Sequence, residues 1–114
     1  MRIGELSRRT GVSPRLLRYY EAQGLLEAER GPNAYREYDE TAVPTVRRIR
    51  ALLDAGLSTE VIREVLPCVR DERPTFDWCE ELRRLLESQL ASVNARMATL
   101  DHTRRTLTTY LTQP

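Results

Sequence analysis

The 114-residue sequence predicts a mainly α-helical protein: a small head of short helices and one hairpin, then a single long helix. Three observations carry this reading. Apolar residues recur at three- and four-residue spacing through most of the chain. Glycine and proline punctuate that pattern repeatedly in the first two thirds, and Thr75 to Gln113 contains neither. A stretch without breakers and with sustained apolar periodicity is a long helix.

The elements follow in order. Ile3 to Thr10 places Ile3, Leu6 and, past a turn, Val12 on one side, with Arg8 and Arg9 on the other. Gly11 can take the positive φ that re-aims the chain. Ser13 is a good N-cap and Pro14 a good first helical residue, because the cap oxygen satisfies an orphan N–H and proline has none to lose. Leu16, Leu17 and Tyr20 form the inner face of this second helix, and Gly24 stops it before Leu25-Leu26. Glu27 to Tyr38 holds Gly31, Pro32 and Asn33 between two short segments, which reads as a hairpin, or wing. Thr41 to Ala55 is helical again, with Val43, Val46, Ile49, Leu52 and Leu53 inward, and Gly56 ends it. Ser58 caps a short helix carrying Val61, Ile62, Val65 and Leu66, and Pro67 and Pro74 bracket its exit.

The long helix, if it runs from 77 to 112, is about 54 Å long, too long for a head of this size to cover. Cys79, Leu86, Val93, Leu100 and Leu107 repeat every seven residues, as do Leu90, Met97, Arg104 and Leu111. Two apolar columns with one polar interruption make a coiled-coil seam whose simplest partner is a second copy of the chain. Leu86, Leu90, Val93, Met97, Leu100, Leu107 and Leu111 are the expected interface. The expected division is 1–74 for the head and 75–114 for the dimerisation helix.

Composition narrows the function. The net charge is only +1, but residues 1–50 hold ten Arg against seven acids and residues 51–114 eight Arg against ten acids. The positive excess sits on the helix-turn-helix, and all eighteen basic residues are Arg, the planar fork best shaped for phosphate. No apolar run approaches the ~20 residues that cross a bilayer, and the N-terminus lacks the apolar core of a signal peptide. These features lead to an expected cytoplasmic location. Arg15, Arg18, Tyr19 and Tyr20 near the start of the second helix, followed by the arginine- and tyrosine-bearing wing, have the chemistry needed to touch base edges and phosphates together. The paired acids Asp71-Glu72 and Glu80-Glu81 have no histidine or glycine-rich loop beside them, so no catalysis and no cofactor are expected.

The run Ile3-Gly-Glu-Leu-Ser-Arg-Arg-Thr-Gly-Val-Ser, then Leu17-Arg-Tyr-Tyr-Glu, Gly24-Leu-Leu, Tyr35-Arg-Glu-Tyr38 and Ala55-Gly-Leu-Ser58 with Val61-Ile62, resembles the MerR family of bacterial transcription regulators. The resemblance covers residues 1 to about 66, and the terminal helix is similar to the family's dimerisation helix. It implies a winged helix-turn-helix head followed by a long dimerisation helix forming an antiparallel coiled coil. The implied partners are a second copy of the chain, double-stranded DNA bearing a pseudo-palindromic promoter site, and RNA polymerase. It also implies activation by bending and untwisting an over-long promoter spacer, a form of indirect readout. Carried over by residue, it assigns Arg15, Arg18 and Tyr19 to the recognition helix, Ser13 to a phosphate as well as the cap, Tyr35 and Arg36 to the flanking backbone, and Arg2 to a further phosphate. Tyr38 is expected to pack the wing on the head with its hydroxyl reaching outward.

Two positions depart from the family pattern. Ala34 stands where a glycine is usual, and Pro44 falls near the start of the third helix, where only the first turn accommodates it. Within residues 1–114 no effector domain after the long helix and no counterpart of the family's C-terminal cysteine pair are expected. Cys79 matches a ligand thiolate of some metal-sensing relatives, and a helix N-terminus favours thiol reactivity. The plainer alternative makes Cys68 and Cys79 small apolar fillers. His102 reads as solvated or at the seam edge. Phe76 and Trp78 either plug the junction between head and long helix or line a small pocket there. Two other functions stay open: an effector-independent architectural or excisionase-like DNA-binding protein, and a coiled-coil module whose head binds a protein.

Overall fold

The computed structural model describes residues 1–33, 35–70 and 76–114. In chain order its elements are helix α1 (Ile3–Thr10), helix α2 (Pro14–Ala22), strands β1 (Glu29–Arg30) and β2 (Arg36–Glu37), helix α3 (Ala42–Asp54), helix α4 (Thr59–Val65) running into a 3-10 turn (Leu66–Cys68), and helix α5 (Glu80–Leu111). The fold is mainly helical, with a helix-turn-helix and a long C-terminal helix. Two compact units separate, Met1–Asp77 and Trp78–Pro114. The expected boundary at 74/75, the Pro74 bracket, the Asp71-Glu72 pair and the Ala34 departure fall outside the described residues.

In the first unit the local signals act as their chemistry dictates. Gly11 sits at φ 75° and its N–H donates to the Ser7 carbonyl, closing α1. The Ser13 side chain accepts from the Leu16 N–H at 3.2 Å, and Pro14 opens α2. Gly24, also at φ 75°, lets the Leu25 N–H return to the Tyr20 carbonyl at 2.9 Å. Ser58 caps α4 by accepting from the Val61 N–H. Pro44 is the third residue of α3, inside the first turn, where no intrahelical N–H bond is lost. The core is built from Leu6, Leu17, Tyr20, Val46, Ile49, Ile62 and Val65, all fully buried. Leu16 and Leu53, expected to point inward, are only partly buried at the edges of their helical faces.

β1 and β2 pair antiparallel, with Glu29 opposite Glu37 and Arg30 opposite Arg36. This short ribbon is the wing. Its exit is tied down by Met1, whose N-terminal ammonium donates to the Tyr38 carbonyl and whose carbonyl accepts from the Tyr38 N–H, both at 2.6 Å.

The long helix begins later than the sequence suggests. Val69 forms an antiparallel bridge with Phe76, and the Asp77 N–H donates to the Cys68 carbonyl at 2.9 Å, so residues 76 and 77 are committed to extended pairing. Cys79 has extended backbone angles and caps α5 through its sulfur, which accepts from the Leu82 N–H at 3.4 Å. Trp78 is 53% exposed and carries the Arg83 guanidinium over its ring at 4.7 Å, so it is not a core plug. With 32 residues, α5 is about 48 Å long. Along it Leu90, Val93, Met97, Leu100, Leu107 and Leu111 are exposed, while Leu86 is partly buried. Among the described residues no helix is long and apolar enough to cross a membrane.

Candidate nucleic-acid interface

The capped start of α2 fixes the direction of its outer side chains. Leu17 and Tyr20 anchor the helix in the core, so Arg15, Arg18 and Tyr19 face outward, with Tyr19 47% exposed despite its ring. Ser13 is exposed but its oxygen already serves the Leu16 N–H.

The wing closes one side of this surface. Arg2, Ile3, Arg18, Arg30, Tyr35 and Arg36 surround a concavity of about 280 Å³, and no acid is among its lining residues. The Arg2 guanidinium stacks over the Tyr35 ring at 4.4 Å, an arrangement that holds both a cation and a flat hydroxyl-bearing ring at the rim. Four of the residues singled out by sequence, Arg2, Arg18, Tyr35 and Arg36, therefore meet around one opening. Arg15 and Tyr19 lie outside this group, on the exposed face of α2.

Arg30 joins the group although sequence reasoning passed over it. The signal was available: a hairpin turning at Gly31-Pro32-Asn33 pairs Arg30 with Arg36, as the register now places them. Glu21 was missed as well. Its two carboxylate oxygens split between partners, one accepting from the Tyr38 hydroxyl at 3.1 Å and the other pairing with Arg36 Nε at 3.0 Å. One side chain on α2 thus fastens the wing strand β2 and its exit.

Tyr38 corrects an expectation. It does pack the wing, being 2% exposed, but its hydroxyl turns inward to Glu21 and not toward solvent. The inner position is favoured because the carboxylate of Glu21 offers an acceptor where solvent is excluded. Burial, followed by the hydrogen bond and charge of Glu21, pushes the Tyr38 hydroxyl up to about 12.

Among the described residues no cluster of three or more His, Cys, Asp or Glu side chains is placed to hold an ion. Cys79 is exposed at the start of α5 and Cys68 is partly buried. In the single chain Cys79 stands just ahead of α5 as its N-cap. His102 is exposed.

Comparison with known proteins agrees with this geometry. Residues 1–67 match the family described as MerR HTH family regulatory protein, and residues 43–110 match the family described as MerR, DNA binding. The chain belongs to the MerR family. It is therefore a DNA-binding transcription regulator of that family, which is not one of enzymes. Among its MerR relatives it is similar to the HTH-type transcriptional regulator HmrR of Rhizobium leguminosarum bv. viciae, 35% identical over 94% of this chain and 81% of that protein. It is also similar to the heavy metal-dependent transcription regulator 2 of Rhizobium meliloti strain 1021, 34% identical over 94% of this chain and 71% of that one. The MerR-type fold is matched by the crystal structure of the transcription regulator PbrR691 from Ralstonia metallidurans CH34 in complex with lead(II), at a TM-score of 0.79, 31% identity, and coverage of 95% and 82% of the two chains.

Proposed function

We propose that this MerR-family chain acts in the bacterial cytoplasm as a homodimer on a pseudo-palindromic promoter site, bending and untwisting the DNA so that RNA polymerase engages both promoter elements. The observation that supports this most is the arginine-lined opening between α2 and the wing, where Arg18 stands beside Arg2, Arg30, Tyr35 and Arg36 with no acid among the lining residues. In this reading Arg18 reaches base edges or the adjacent phosphate, helped by Arg15 and Tyr19. Arg2, Ser13, Tyr35 and Arg36 grip the flanking backbone. Tyr38 contributes by holding the wing, since its hydroxyl is already engaged. The exposed apolar columns of α5, running from Leu86 and Leu90 to Leu107 and Leu111, pack on a second copy as an antiparallel coiled coil. Two heads so joined repay the cost of deforming the DNA by gripping it at both ends.

The test is operator selection from genomic fragments with the purified protein, followed by binding measurements across salt. Arg18→Ala is expected to weaken operator binding by ~1–3 kcal/mol and to relax sequence preference, whereas Arg36→Ala lowers affinity evenly across sequences. Wild-type binding by both variants would overturn the assignment. Footprinting separates promoter remodelling from an architectural role: a single palindrome between promoter elements is expected, and extended or repeated protection would favour the architectural alternative.

A further inference from the structure

The first unit contains a second concavity, made by other arginines. Gly24, Thr45, Arg48, Arg63, Leu66 and Val69 are among the residues enclosing about 350 Å³ where the turn after α2 meets α3, α4 and the 3-10 turn. Its charged walls come from two different helices, Arg48 from α3 and Arg63 from α4, and among the described residues no carboxylate lines it.

The two guanidinium groups are fixed and under-used. Arg48 Nη2 donates to the Arg70 carbonyl at 3.0 Å, yet its Nε–H is shut off from solvent and has no acceptor among the described residues. Arg63 Nε donates to the Gln23 carbonyl at 2.7 Å. That bond holds the side chain against Gly24, where an added Cβ would lie 3.5 Å from Nε. Because the Arg48 Nε–H is closed to solvent, a ligand in the hollow would meet the two guanidinium groups through their other N–H donors. Two arginine forks with no neutralising acid among the described lining residues match the oxygens of a small anion in both charge and geometry. The volume suits such an anion with a few waters, each taking roughly 30 Å³.

We propose that this concavity is a binding site for a small oxyanion, phosphate or carboxylate, held between Arg48 and Arg63. It is separate from the Arg18 and Arg36 opening and goes beyond the DNA reading. Because its walls come from Gly24 in the turn after α2, from α3 and from α4, a bound anion would brace that turn against the two helices.

The test is a titration of the purified protein with sodium phosphate at ionic strength held constant with chloride, followed by backbone amide shifts in NMR. Saturable shifts at Gly24, Thr45 and Val69 are expected. Arg63→Gln and Arg48→Met, one at an exposed and one at a partly buried side chain, should each weaken this saturation roughly tenfold. The Arg18→Ala/Arg36→Ala double variant should leave it unchanged, which separates it from phosphate captured at the DNA surface. Acetate is expected to saturate the same amides if the site accepts a planar carboxylate, and competition between the two anions would confirm a shared site. Shifts confined to Arg2, Arg18, Tyr35 and Arg36, or shifts at Gly24 and Thr45 that survive both Arg48→Met and Arg63→Gln, would overturn the proposal. Operator binding in phosphate-free buffer is read in parallel. Its absence in the wild type would defeat the DNA reading alone, and its persistence in Arg63→Gln is expected.

Discussion

Glu21 is placed to decide how much of the Arg36 charge is felt by DNA. The pair is close, at 3.0 Å, and its acid side chain is only 23% exposed, so the guanidinium arrives at the backbone already partly neutralised. Glu21→Gln keeps an acceptor for the Tyr38 hydroxyl and removes the charge from Arg36. The salt dependence of DNA binding is then expected to steepen by less than about one unit of slope per head, since Arg36 meets its phosphate with its full charge, while discrimination between operator and random DNA falls. An unchanged slope would mean that Arg36 is already free of Glu21 in the complex. Tyr38 gives the same contact a pH signature. Its folded value, about 12, lies above the ordinary tyrosine value near 10, so the hydroxyl stabilises the head fully below about pH 10 and loses that contribution as pH rises through 12. Denaturant unfolding of wild type against Tyr38→Phe should show this extra alkaline loss, of at most roughly 3 kcal/mol, in the wild type alone.

At the scale of elements, helix boundaries here are set by caps more than by propensity. Ser13 serves α2 through one 3.2 Å bond to the Leu16 N–H, so Ser13→Ala should cost about 1 kcal/mol of stability, measurable as a lower denaturant midpoint. A loss in operator affinity larger than this, in a variant whose circular dichroism is unchanged, would support the added phosphate contact assigned to Ser13. Such caps are legible in sequence, because serine before proline or an apolar run has a local meaning that needs no tertiary information. The ends of α1, α2 and α4 follow from Gly11, Ser13, Gly24 and Ser58 for that reason. The start of α5 was not legible in the same way. Nothing near Phe76 and Asp77 announces that they pair with Val69 and Cys68, a contact between segments that no local pattern encodes. The wing shows the same division. Its turn is written in Gly31-Pro32-Asn33, but the inward turn of the Tyr38 hydroxyl depends on Glu21, seventeen residues away.

For the whole molecule the decisive question is what covers α5. Leu90, Met97, Leu100, Leu107 and Leu111 are each more than half exposed on a helix of 32 residues, an apolar seam that a chain alone leaves in water. The polar position in that seam, Arg104, pairs with Asp101 at 2.9 Å, and Asp101 also pairs with Arg105, so one carboxylate is shared by two guanidinium groups at the interruption. Packing against a second copy by a two-fold axis makes every seam residue act twice. A Val93→Glu/Leu100→Glu double variant should therefore place four buried charges in the dimer while leaving the first unit untouched. Sedimentation equilibrium at micromolar concentration is expected to show a dimer for the wild type and a monomer for the variant, with the thermal unfolding of the head retained. Operator affinity should then drop by about two to four orders of magnitude, because the second head no longer binds at the high effective concentration that linkage provides. A variant that remains dimeric, or a monomer that still binds the full palindrome as tightly as the wild type, would each defeat the paired-head mechanism, the first by relocating the interface and the second by making it irrelevant to DNA binding.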